Sequence, residues 1–293
     1  LIVECVPNFS EGRDPVVVAA IAAAVEGTTG AFLLDRTSDP DHNRSVLTLV
    51  GYPQDVLEAI LAAARVAIAK IDLRGHSGVH PRLGAIDVVP FVPVQETTLS
   101  ACRSLAHDAG RRIWNELRVP VYYYEAAALR PECKRLENVR KLALEGLAPD
   151  IGEGRHPTAG AVVVGARKFL VAWNINLRSA NLGAAREIAR AIRESSGGLP
   201  AVKAIGLPLE SRGEVQVSIN LVDFERTPLY VVFDEVSRLC AEQGIEIAGS
   251  ELIGMIPAAA LEGSRGHDVK WENLRPELVL ENRIRETPLC STR

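Results

Sequence analysis

The apolar positions divide the chain into short runs and longer stretches at helical period. Residues 2–6 are an apolar run that predicts a strand. Pro7-Asn8-Phe9-Ser10-Glu11-Gly12 then turns the chain, and Ser10 or Asp14 followed by Pro15 supplies the chemistry of a helix start. Residues 16–25, rich in alanine, predict a helix that Thr28-Thr29-Gly30 stops. Strands over 31–34 and 45–50 flank a polar loop, and Gly51-Tyr52-Pro53 leads into a helix over 54–70. There Val56, Ile60, Ala63, Ala64 and Ala67 keep to one face. A fourth strand is expected over 85–92. The order β-α-β-β-α-β predicts an α+β fold of the ferredoxin-like kind. Two helices would cover one face of a four-stranded antiparallel sheet, leaving the other face for a partner.

Beyond it, residues 97–117 predict a helix, 119–125 a strand with three adjacent tyrosines, and 131–147 another helix. A strand pair is expected to begin at 161–164. The first pattern then recurs: strand 169–175, helix 180–195 ended by Ser196-Gly197-Gly198, strands 202–208 and 214–221, helix 228–243 and strand 246–255. Val215, Val217, Ile219 and Leu221 alternate as a half-buried strand requires. The halves share this order but not their sequences. Two subdomains are therefore expected, 1–165 and 166–293, with their free sheet faces turned toward each other around a ligand. The tail from Gly263 is polar apart from Leu278-Val279-Leu280.

The composition narrows the partners. A net charge of −4 disfavours nucleic acid, which wants a basic face, and 5% aromatic residues are too few for an RNA-binding sheet. No stretch reaches the ~18 unbroken apolar residues of a membrane helix; the richest is interrupted by Arg65 and Lys70. Glu4 and Pro7 fall where the apolar part of a signal peptide would lie. The start at Leu1 rather than Met implies trimmed leading residues. Cys5, Cys102, Cys133, Cys240 and Cys290 are scattered, without a C-x-x-C pair, which reads as free thiols in a reducing cytoplasm. No Walker loop or dinucleotide fingerprint is present, Gly160 to Gly165 included.

Chemistry concentrates in Arg74-Gly75-His76-Ser77-Gly78-Val79-His80-Pro81-Arg82-Leu83-Gly84-Ala85-Ile86-Asp87, which holds two of the six histidines. Loops on a rigid scaffold commonly carry binding and catalytic groups. His76 and His80 stand four apart like zinc ligands on a helix. No Glu follows the first, however, and Gly78 with Pro81 opposes a helix, so no metal is expected. A loop histidine also serves as a surface residue or a structural hydrogen-bonder. Arg74 and Arg82 favour chemistry, because a cationic setting can hold an acidic substrate beside a neutral imidazole. Asp35, Asp39, Asp41, His42 and Arg44 form a second cluster, which alone reads as a solvated loop. Asn174 and Asn176 alternate on one strand and mark either a polar-lined or a plainly exposed sheet face. Asp150-Ile151-Gly152-Glu153-Gly154-Arg155-His156-Pro157-Thr158-Ala159-Gly160 looks like a linker that carries an arginine and a histidine.

Taken together these residues resemble a known family. Val3-Glu4-Cys5-Val6-Pro7-Asn8-Phe9-Ser10-Glu11-Gly12 is similar to the opening of glutamate formimidoyltransferases, including the transferase part of formimidoyltransferase-cyclodeaminases. So are Asn43-Arg44, His80-Pro81-Arg82-Leu83-Gly84-Ala85-Ile86-Asp87, Gly165-Ala166-Arg167-Lys168-Phe169-Leu170 and Asn174-Ile175-Asn176-Leu177. The resemblance runs to about Ala260, and the chain stops before a cyclodeaminase part. It implies transfer of the formimino group from N-formimino-L-glutamate to N5 of tetrahydrofolate, the folate being a co-substrate. It implies ferredoxin-like subdomains flanking a folate tunnel, a homodimer, catalysis by His80, and folate contacts along residues 152–160, to which Asn174 and Asn176 are added. That loop is one residue shorter than in the animal enzyme. Val79 replaces an acidic residue there, so a carboxylate that orients His80 must come from elsewhere.

In that reaction a secondary amine attacks an amidine carbon and glutamate's amine leaves. One histidine titrating near neutrality can take the proton from N5 and give one to the leaving nitrogen. Asp35 or Asp39 would meet the amidinium charge. Arg44 and Arg82, beside Asn43, would fork onto glutamate's carboxylates. Two alternatives share these motifs: formyl transfer between 5-formyl-tetrahydrofolate and glutamate, and a non-catalytic folate or amino-acid sensor.

Overall fold

The computed structural model describes residues 1–40, 42–77 and 82–290. The chain forms two compact units, Leu1–Arg167 and Lys168–Arg293. It is an α+β protein, and each unit has its own sheet and core. Among the described residues, no helix is long and apolar enough to cross a membrane.

In unit 1 the first strand is broken at Val6-Pro7 into β1 (Val3–Cys5) and β2 (Asn8–Phe9). Proline has no N–H for a ladder, but its carbonyl still accepts from Leu47 N at 3.1 Å, so the broken strand keeps its place. Then come α1 (Pro15–Glu26), β3 (Ala31–Asp39), β4 (Arg44–Gly51), α2 (Pro53–Lys70) and β5 (Ile86–Pro93). Asp14 caps α1 by accepting Val16 N at 2.8 Å, with Pro15 at the first helical position. The strands lie in the order β5, β1/β2, β4, β3, all antiparallel.

The expected four-stranded sheet is enlarged. After α3 (Leu99–Leu117) the chain adds β6 (Val121–Glu125), α4 (Leu136–Leu144) and β7 (Val162–Ala166). β7 pairs in parallel with both β5 and β6, which makes seven strands among the described residues and a mixed sheet. The second face is also not left free at this end. α4 contributes Val139 and Ala143 to a cluster with Val88, Tyr122, Tyr124 and Val163, while Tyr123 and Val164 join the main core with α2 and α3. The single helix expected over 131–147 is a short 3-10 turn, Pro131–Lys134, and then α4, parted by extended backbone at Arg135.

Unit 2 runs β8 (Val171–Leu177), α5 (Leu182–Ile192), β9 (Val202–Leu209), β10 (Glu214–Leu221), α6 (Leu229–Glu242) and β11 (Ile247–Ile253). Its sheet is antiparallel throughout, in the order β11, β8, β10, β9. Numbered within each unit, the fourth strand lies beside the first, then the third, then the second, as it does for β5, β1/β2, β4 and β3. The two halves thus repeat one spatial order as well as one chain order. Val171, Trp173, Ile175 and Leu177 pack with Val215, Val217, Ile219 and Leu221 against α5 and α6. The tail is more structured than its polarity suggested. Trp271 bridges to Ser250, and α8 (Leu280–Arg285) buries Leu280 and Ile284; α7 (Ala258–Glu262) precedes both.

Candidate active site

Three stretches far apart in sequence meet in unit 1 through backbone hydrogen bonds. Ser10 N donates to Ala85 O at 2.9 Å and Ser10 Oγ to Gly84 O at 2.7 Å. Ala85 N donates to Ala159 O and Ala161 N to Leu83 O, each at 2.9 Å. Leu73 N donates to Thr158 O at 2.9 Å. The opening peptide, the flanks of the histidine loop and the Gly-rich segment are therefore one assembly. Asn43 joins it from the other side. Its backbone is left-handed, with φ 48°, a conformation that asparagine tolerates better than most. Its Oδ1 accepts Gly12 N at 3.0 Å and its Nδ2 donates to Ser77 O at 3.1 Å.

The charges are arranged around Asp87, which is 2% exposed. Its Oδ1 accepts Leu83 N at 2.6 Å and Gly84 N at 3.3 Å, and Oδ2 accepts from Arg140 Nη2 at 2.6 Å. Arg140 comes from α4, which the chain had to place on the second face of the sheet for this contact to exist. Arg44 donates to Asn8 Oδ1. Burial lowers its pKa to about 10, opposed chiefly by Asp87, so it stays charged at neutrality. Arg82 donates to His42 O at 2.9 Å and Asn43 O at 3.3 Å. Its own pKa is lowered by burial, again opposed by Asp87. Asp87 thus bears on three guanidinium groups, while Asp39 also acts on Arg44 and Glu11 on Arg82.

Arg82 Nη1 also meets the His76 imidazole, 3.2 Å from Nε2 and closer to Nδ1. A guanidinium only donates, so the ring must offer a lone pair. Burial, and then the Arg82 charge, hold the His76 pKa below its ordinary 6.5. The fold therefore prefers the neutral ring. Below pH 6.5 the unfolded chain takes up this proton before the native one does, so this contribution is full above 6.5 and declines as pH falls toward the lower native value. Arg82→Ala is expected to bring the His76 titration, followed by NMR, back up toward 6.5. An unmoved titration would remove Arg82 as a cause.

The other expected residues divide. Asp39 Oδ2 meets His42 Nδ1 at 2.6 Å, and Asp39 Oδ1 accepts His42 N at 2.9 Å, both groups being half exposed. Asp35 is half-buried on β3 opposite Thr48, next to a bulge. In the Gly-rich segment Glu153, Gly154, Arg155 and Pro157 are exposed, Gly152 and Thr158 half-buried, and Ala159 and Gly160 buried. His156 closes its own loop. It exchanges backbone bonds with Gly160 at 2.8 and 3.0 Å, and its Nδ1 accepts Ala159 N at 3.0 Å and Thr158 N at 3.3 Å. Arg155 donates to Ala143 O on α4 at 3.2 Å. Asn174 and Asn176 lie in unit 2, on the β8 face turned away from its helices. His80, Asp41 and Pro81 lie outside the described residues, so the His76–His80 spacing has no geometry to report. Among the described residues no three His, Cys, Asp or Glu side chains gather as metal ligands.

Sequence reasoning passed over Ser10, Asp87 and Arg140 as site groups. Asp87 stood inside the quoted loop motif and Ser10 inside the quoted opening peptide, and membership of those motifs was the signal available. Arg140 was one cation in a charged helix, and only the fold shows which.

Comparisons with known proteins place the chain in a family. Residues 2–167 match the family described as "Formiminotransferase domain, N-terminal subdomain", and residues 172–286 match "Formiminotransferase domain". A relative from Streptococcus pyogenes serotype M1, "Glutamate formimidoyltransferase", is 44% identical over 270 residues, covering 89% of this chain and 90% of that one. One of the same name from Thermoplasma acidophilum is 40% identical over 271 residues, covering 89% of each. The "Formimidoyltransferase-cyclodeaminase" of Sus scrofa is 44% identical over 289 residues; there the match spans 93% of this chain but 53% of the relative. Two units with one repeated strand order, the first carrying an arginine-rich loop assembly, define a two-part α+β protein. The chain belongs to the formiminotransferase family.

Proposed function

We propose that this protein transfers the formimino group of N-formimino-L-glutamate to N5 of tetrahydrofolate, giving 5-formimino-tetrahydrofolate and L-glutamate, a step of histidine degradation. It is an enzyme, a transferase. The observation that carries this reading is the match along both units, 89% of the chain, to proteins named glutamate formimidoyltransferase. N5 attacks the amidine carbon, the tetrahedral adduct loses glutamate's amine, and the proton lost by N5 equals the one gained by that amine. His80 is the shuttle. Arg44 and Arg82, with Asn43, take the carboxylates of the glutamate; their charge and their shared counter-ion Asp87 support that role. Asp35 meets the amidinium in preference to Asp39, whose carboxylate already faces His42. Folate runs along residues 152–160 and Asn174 and Asn176, with His156 shaping the loop rather than touching the ligand. Tetrahydrofolate is a co-substrate and no metal takes part. Each unit is a ferredoxin-like subdomain, in keeping with the repeated strand order. The protein acts as a homodimer in the cytoplasm, where its free thiols stay reduced.

The test mixes N-formimino-L-glutamate with tetrahydrofolate and measures released glutamate and 5-formimino-tetrahydrofolate, beside His80→Ala. Release should need both substrates and fall ~10²-fold or more in the variant, with folate binding little changed. Saturable folate binding without release would turn the reading to a formyl donor or a sensor. Near-normal turnover in His80→Ala would remove that residue from the mechanism.

A further inference from the structure

On the sheet of unit 2 two directly paired residues each carry a buried amide oxygen without a hydrogen-bond partner. Asn176 on β8 pairs directly with Gln216 on β10. Their neighbours Ile175, Leu177, Val215 and Val217 all point into the core, so both amides lie on the opposite face. Directly opposed residues hold their Cβ atoms ~5 Å apart. Asn176 is 0% exposed. Its Nδ2 donates to Glu272 Oε2 at 3.3 Å. A carboxylate only accepts, so the amide must present its NH2 to Glu272, which leaves Oδ1 on the other side. Asn176 Oδ1 and Gln216 Oε1 are both buried and have no hydrogen-bond partner.

This orientation is built. Arg212 grips Glu272 with two parallel bonds, Nη1 to Oε1 at 3.2 Å and Nη2 to Oε2 at 3.1 Å. Glu272 reaches Asn176 across Gly249, where a Cβ would come within 2.4 Å of Oε1. Gly249 is the cross-strand neighbour of Asn176 on β11. A glycine, a carboxylate and an arginine thus fix the attitude of one amide. Buried acceptors rarely stay unsatisfied in native proteins, and two adjacent ones call for an explanation.

We propose that the Asn176–Gln216 amide pair receives a planar edge bearing two adjacent N–H donors, the amidine class. A carbonyl, carboxylate or phosphate edge would set acceptor against acceptor at Asn176 Oδ1, because Glu272 holds the NH2 on the other side. The inference rests on the proposed reaction, in which both substrates carry such an edge: the N3–H and 2-amino group of the tetrahydropterin, and the amidinium of the formimino group. Gln216, Glu272, Arg212 and Gly249 are its new members.

Calorimetric titrations of the full chain with tetrahydrofolate and with N-formimino-L-glutamate, each alone, test it. Gln216→Met keeps the length and removes the acceptor. In Gly249→Ala the nearest atoms to the new Cβ are those of the flexible Glu272 side chain, so the variant should fold and turn Glu272 off Asn176. Both variants are expected to bind one ligand at least tenfold more weakly and the other within twofold, and the ligand that loses affinity names the source. If that is the folate, a 2-desamino analogue should bind the wild type with the same loss and show no further loss in Gln216→Met. Unchanged affinities in both variants, at native thermal stability, overturn the proposal and leave the amides holding water. Binding without turnover would remove the reaction and keep the site. Turnover with unchanged affinities would keep the reaction and remove the site. Wild-type protein that binds neither ligand overturns both.

Discussion

Replacing Asp87 by alanine is expected to destabilise the protein by about 3–5 kcal/mol, the range for breaking a buried ion pair from one side. The loss has two sources. Arg140 is left as a buried cation with its carboxylate gone, and the Leu83 and Gly84 N–H groups lose their acceptor. Asp87→Asn separates them. Its carbonyl can still accept from the loop, while its NH2 would face the Arg140 guanidinium, donor against donor. Adding Arg140→Leu to Asp87→Asn should therefore recover part of the loss, and the cycle of urea midpoints gives the coupling. Turnover should fall in Asp87→Asn even where the protein stays folded, because Arg82 sits next to the backbone that Asp87 holds. A loss below ~1 kcal/mol for Asp87→Ala would mean that water reaches the pair and that it is a surface bridge in effect.

The elements with one wet face were legible. Alternation in residues 215–221 and helical spacing in 54–70 report burial on one side, and the cap at Asp14 marks where the first helix begins. The strands added in parallel were harder to place. Val162 to Val164 and Tyr122 to Tyr124 are buried on both faces, so neither run alternates, and a run without alternation does not say which neighbour it pairs with. Side-chain roles were less legible still. His156 and Asp39 looked reactive by residue type, yet one folds its own loop and the other faces His42. Asp87 looked ordinary, and Asn176 was read only as one of two amides on a sheet face. The partners they meet at long range, Arg140 and Glu272, are connected to them by no local pattern. The loop motif and the opening peptide were recognisable as sequences. That Ser10 ties one to the other is a fact of the fold.

Gly160→Ala should give the second large effect, and Gly154→Ala is its control. Both glycines have positive φ, 70° and 61°. A left-handed non-glycine residue costs roughly 1–2 kcal/mol, partly offset by about 0.4–1 kcal/mol from a less flexible unfolded chain. At Gly154 nothing lies within 4 Å of the new Cβ, so the change should stay near ~1 kcal/mol. At Gly160 the Cβ would sit 2.1 Å from the Leu83 carbonyl oxygen, which is backbone and accepts Ala161 N at 2.9 Å. Relieving that clash adds about 1–3 kcal/mol, for a total near 2–4 kcal/mol. The damage falls on the junction between the Gly-rich segment and the flank of the histidine loop. Activity should therefore drop in Gly160→Ala by much more than in Gly154→Ala, at a temperature where both are folded. Equal losses of activity would place the importance of the segment in its exposed turn. Loss at Gly160 alone would place it in the backbone bonds that hold residues 82–85 in register.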